Sequence, residues 1–225
     1  MRRTTPAPRN SFSRRHLLAV ASAALFCGAA LVTSASAYSD GPPNGYTGGP
    51  PYFENCTTCH YTYEVNSGDG TLQLIGLPAA YEPGETYQLQ VQLADLGQLR
   101  WGFELTVIDD SDPDSPLSGG QLSVTDPINA QMSEDYFNDE DYMKQTEVGS
   151  FSAVFDGPVT WDFAWTAPGL ETPSVTFYFA GNAANNNGIF LGDYIYTRSE
   201  QLFLETGTPT EPTTWGRVKQ LYSSR

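Results

Sequence analysis

From Thr71 onward the chain alternates between apolar and polar positions with a period of two. Tyr87, Leu89, Val91 and Leu93 are separated by glutamines, which predicts a strand with one buried and one wet face. Trp101, Phe103, Leu105 and Val107 repeat the pattern, as do Val159, Trp161, Phe163 and Trp165, and then Val175, Phe177 and Phe179. Leu202 and Leu204 predict a last strand. Glu82-Pro83-Gly84, Asp156-Gly157-Pro158 and Pro168-Gly169 are turn signals between these runs. No helical period of useful length occurs between residues 70 and 205. Short strands at this spacing predict an all-β fold, an immunoglobulin-like antiparallel β-sandwich preceded by the Cys56–His60 segment.

The flanks differ from this body. Residues 1–37 read as a signal peptide: Arg2, Arg3, Arg9, Arg14 and Arg15 precede an apolar run from Leu17 to Val32, and Ala35-Ser36-Ala37 offers a cleavage site. Ser13-Arg14-Arg15-His16-Leu17-Leu18 partly matches a twin-arginine signal. Cys27 is read as part of the removed segment. The expected location is outside the cytoplasm: periplasmic, cell-surface or extracellular. Residues 38–55 form a Gly/Pro-rich, irregular lead-in. Residues 56–205 hold the Cys/His motif and the sandwich, and 206–214 a Thr/Pro linker. In the tail, 215–225, Trp215, Val218, Leu221 and Tyr222 make a short apolar stripe with Arg217, Lys219 and Arg225 alongside. That pattern predicts a helix that folds only against another surface, its own sandwich or a separate partner, with a cell-surface docking role favoured.

Charge narrows the partners. Five of the 11 Lys+Arg and none of the 26 Asp+Glu fall in residues 1–37, leaving 6 against 26, a formal charge of −20 over 188 residues. That balance argues against nucleic acid and anionic membranes and favours either a basic partner or solubility alone. No stable membrane span is expected after residue 37.

Candidate chemistry concentrates in Cys56-Thr57-Thr58-Cys59-His60, the C-x-x-C-H attachment pattern for one covalent haem c. Two thiols three positions apart match two vinyl-derived carbons on one macrocycle edge, and His60 can then ligate the iron. A Cys56–Cys59 disulfide or another metal site are the competing readings. A structural zinc site wants four Cys/His ligands, and beyond residue 37 only these three exist.

Several blocks carry a resemblance. Tyr81–Tyr87, Arg100-Trp101-Gly102-Phe103, Phe163–Pro168, Phe177–Asn185 and Gly192–Thr197 together resemble the bacterial choice-of-anchor V domain, itself similar to the Reeler domain of animal extracellular proteins. The likeness spans about residues 50–205. It implies an exported sandwich, surface display and often a haem, with C-x-x-C-H ahead of the first strand. It implies no reaction.

The sixth iron ligand is open. Met132 and Met143 are the only methionines after the signal, and thioether is a usual partner of histidine. Both lie in the acidic segment 126–147, whose weak periodicity would let it fold over the haem. Ordinary packing, Lys144 or an open position are the alternatives. Asp109-Asp110-Ser111-Asp112-Pro113-Asp114 has alternating carboxylates, but a solvated loop is preferred to a calcium site because the EF-hand Gly and Glu are missing. Gly181–Gly188 reads as a tight loop. Arg100 is expected to pair with a buried carboxylate or a haem propionate. A single remaining histidine leaves no Ser-His-Asp arrangement, and no enzyme activity is expected. The leading expectation is an exported mono-haem c-type cytochrome exchanging electrons with a redox partner. The alternative is a surface adhesion or matrix-binding module with structural haem or none.

Overall fold

The computed structural model describes residues 38–111, 117–135 and 140–206. The signal segment, the linker beyond Thr206 and the expected tail helix lie outside the described residues. Nine strands are formed: β1 (Thr71–Ile75), β2 (Thr86–Ala94), β3 (Arg100–Asp109), β4 (Gln121–Val124), β5 (Ala130–Asp135), β6 (Glu140–Gln145), β7 (Val159–Thr166), β8 (Ser174–Ala184) and β9 (Tyr194–Phe203). They make two antiparallel sheets, ordered β1-β2-β7-β4 and β5-β6-β3-β8-β9. The all-β expectation holds.

The alternating apolar residues line the space between the sheets. Leu89 stands opposite Phe163 and Val91 opposite Trp161 in the smaller sheet, and Leu105 opposite Phe179 in the larger. All six are buried. Across the gap Phe103 stacks on Trp161 at 4.5 Å, and Trp165 meets Phe177 edge-on at 5.0 Å. Each such side chain contributes about 1.5–3 kcal/mol on leaving water. A buried indole also needs an acceptor for its N–H. Trp101, Trp161 and Trp165 donate to the carbonyls of Val154, Gly149 and Gly119, tying the β6–β7 and β3–β4 connections to the core.

The lead-in is seated on the sandwich. It crosses the outer face of the larger sheet as a strap, strand by strand. Gln131 on β5 donates to the Asp40 carbonyl at 2.8 Å. Lys144 Nζ on β6 donates to the Pro42 carbonyl and to Asn44 Oδ1, both at 2.7 Å. The Tyr46 N–H donates to Glu104 Oε2 on β3 at 2.6 Å, and Gly49 lies against Tyr178 on β8. Beyond the motif, Asn66 pairs with Ile195 and Thr197 along the free edge of β9 before the chain enters β1.

Three expectations are corrected. The acidic segment 126–147 does not fold over a haem: β5 and β6 form a hairpin at the edge of the larger sheet. Gly181–Ala184 is the end of β8, not a loop. Among the described residues Arg100 has no carboxylate partner, and its Nε donates to Ser150 Oγ at 3.2 Å.

Candidate haem-attachment site

The motif folds as one turn of 3-10 helix, Cys56–Thr58, capped by Asn55, whose Oδ1 accepts from the Thr57 N–H at 2.9 Å. The Cys59 and His60 N–H groups both reach back to the Cys56 carbonyl, at 3.2 and 2.9 Å. In a turn of three residues per revolution positions i and i+3 stack, which brings Cys59 over Cys56, with His60 next along the chain. Cys59 is exposed, Cys56 is half-buried, and both are free thiols. Burial, then the Glu104 carboxylate, pushes the Cys56 thiol up to about 12.

His60 lies against the end of β8 on the outer face of the larger sheet. Its Nδ1 is 2.6 Å from Asp193 Oδ2, and its Nε2 is 3.2 Å from Asn182 Nδ2. Asp193 is buried, and its Oδ1 accepts from the Asn185 N–H at 3.2 Å. The loop ahead of β9 is tied to the motif by Gly192 N–H, which donates to Thr62 Oγ1 at 2.9 Å. Around this histidine lies an exposed apolar apron. Tyr61 packs against Phe190 at 5.6 Å, Tyr63 stacks on Tyr194 at 4.3 Å, and Ile189 and Leu191 are open to solvent. Large apolar side chains exposed near one another in this way offer a surface that a flat apolar group can cover. Two thiols, an imidazole held by a carboxylate and a flat apolar rim fit a c-type haem.

The methionines do not join them. Met143 stands opposite Leu105 and faces the sandwich interior, fully buried in the core. Met132 pairs with Met143 and so takes the same face at the sheet edge. His60 meets Asn182, whose position in β8 alternates with the core residues Phe179, Gly181 and Ala183, so the sheet stands between His60 and both sulfurs. Strands lie about 4.8 Å apart, so β6 is also about 10 Å and β5 about 14 Å from β8. The structure therefore does not bring Met143 or Met132 together with His60, as the expected ligation would need. Lys144 is on the outer face, but its ammonium is engaged by Pro42, Asn44 and, at 3.7 Å, Glu104.

Of the calcium candidate, the described carboxylates are taken up by neighbours. Asp109 accepts from Ser111 and Thr172, and Asp110 from Ser174, Thr176 and Gln201. Among the described residues no three His, Cys, Asp or Glu side chains gather into a metal-holding group.

Asp193 and Asn182 are the site residues that sequence reasoning missed. In the sequence Asp193 belongs only to a block of the resemblance, and Asn182 to such a block and to the loop expected over 181–188. Its outward position in the alternation of β8 was the available signal.

No family model matches the chain, and no curated protein matches it. Among solved structures it is similar to the Reelin-N domain of F-spondin, at 15% identity and a TM-score of 0.42 over 66% of this chain and 96% of that one. The human F-spondin reeler domain gives 16% and 0.42 over 63% and 92%. A type I cohesin–dockerin complex from Clostridium thermocellum gives 12% and 0.34 over 63% and 99%. At these scores the likenesses carry no argument about function.

Proposed function

We propose that the chain is an exported β-sandwich protein that carries one covalent haem c at the outer flank of its larger sheet and exchanges electrons there with a basic redox partner. The observation that carries this reading is the Cys56–Cys59–His60 turn, its histidine already held by Asp193 beside an exposed apolar apron. When bound, the haem supplies one-electron transfer. The chain supplies two thiols, each adding across a vinyl group with sulfur bonded to one carbon and the proton to the other, so no oxidant is needed. His60 supplies Nε2 to the iron. Burial raises the Cys56 thiol, which disfavours its nucleophilic thiolate in the folded chain.

A second reading, a surface adhesion or matrix-binding sandwich with structural haem or none, is favoured by a specific observation. Both methionines face away from His60, so the usual thioether partner of a haem electron carrier is missing. Reduced-minus-oxidised spectra of the exported protein, made alongside a cytochrome c maturation system, separate the two. Haem bands support the first reading. A folded protein without them supports the second.

A further inference from the structure

Among the described residues the short polar contact of the His60 ring is at Nδ1, which lies 2.6 Å from Asp193 Oδ2. An ionised carboxylate can only accept, so the ring proton must sit on Nδ1. Asp193 cannot turn away to water: its side chain is 1% exposed, and its other oxygen is occupied by the Asn185 N–H at 3.2 Å. Nε2 is thereby left as the nitrogen with a lone pair to give. The Asn182 amide nitrogen is 3.4 Å from Nδ1 and 3.2 Å from Nε2, so it lies over the ring face and off the direction of the Nε2 lone pair, and its own Oδ1 is buried without a hydrogen-bond partner.

A carboxylate behind a ligating histidine does more than aim it. By drawing the Nδ1 proton toward itself it makes the imidazole a stronger donor at Nε2. A stronger anionic donor stabilises the more highly charged metal, so it favours ferric over ferrous iron. A backbone carbonyl, carrying no net charge, would do this less.

We propose that Asp193 is a positioning residue that fixes His60 with Nε2 toward the iron and, by its charge, lowers the reduction potential of the bound haem. This rests on the haem reading above.

The test has two arms. The first uses the full chain without haem, labelled with 15N. His60 is the only histidine beyond residue 37, so its ring resonances are unambiguous. A protonated Nδ1 is expected; a bare Nδ1 with the proton on Nε2 alone overturns the assignment. The second compares haem-loaded wild type with Asp193→Asn and Asp193→Glu by redox titration. At the potential that half-reduces wild type, Asp193→Asn should be reduced by about ten to one, while Asp193→Glu, which keeps the charge, should stay near wild type. Equal midpoints for all three overturn the proposal, and so does a lower midpoint for Asp193→Asn. If Asp193→Asn does not fold, the first arm and the position of Asp193→Glu decide it. A chain that takes up no haem at all fails the haem reading instead, and leaves the tautomer to judge the His60–Asp193 pairing separately.

Discussion

Glu104 is the most costly residue in the larger sheet. Its carboxyl is fully buried on the outer face of β3, with Oε2 receiving the Tyr46 N–H, Oε1 without a hydrogen-bond partner and Lys144 Nζ at 3.7 Å. Burial outweighs the lysine and pushes this carboxyl up to about 8, from an ordinary 4.5. The folded protein therefore binds a proton that the unfolded chain has released between those values. Stability from this group is full below pH 4.5 and is lost as pH rises to 8. Denaturant melts across that window should show a shallower fall for Glu104→Gln than for wild type, and parallel curves would contradict the assignment. Met143 makes the opposite case, a residue whose role is packing alone. Met143→Ala should cost about 2–5 kcal/mol through the cavity it leaves, with the haem spectrum of the loaded protein unchanged. Loss of a sulfur–iron band in that variant would restore Met143 as a ligand.

Among the elements, the strap over residues 38–55 explains what sequence patterning could and could not show. β2, β3, β7 and β8 were legible because each sends its large apolar side chains one way. The outer face of the larger sheet was not, because a code of apolar inside and polar outside assumes that face is wet. Here the strap covers it, so Glu104 and Lys144 are buried although they read as surface residues. The same cover hid β6, where Glu140, Tyr142 and Lys144 are all buried on that face. The Cys56–His60 motif was legible because its five residues are adjacent. Its partner Asp193 was not, since 133 positions separate it from His60 and nothing local links them. Gly49 is the tightest point of the strap, where an added Cβ would come within 2.5 Å of the Tyr178 ring. Gly49→Ala should therefore lift the strap at a cost of about 1–3 kcal/mol. Hydrogen exchange should rise over residues 40–55 and stay slow in β3 and β8. Unchanged protection of the strap would show that it is not seated on Tyr178.

For the molecule as a whole, β3 begins, β8 ends and β9 begins at one end of the sandwich, and the strap delivers the motif to that end. The core thus serves as a rigid frame, and the haem candidate sits on its flank, beside the exposed Tyr61 and Leu191. A rigid frame with an accessible cofactor edge suits electron exchange, and the net charge of −20 beyond residue 37 suits a basic partner. All of this depends on haem being bonded to this turn. The decisive measurement is the mass of the exported protein after denaturation and extraction, for wild type and for the Cys56→Ser/Cys59→Ser double variant, both produced with haem maturation active. The account predicts one haem retained per wild-type chain and none on the double variant. A wild-type chain at its bare polypeptide mass, or equal retention by the double variant, would contradict it.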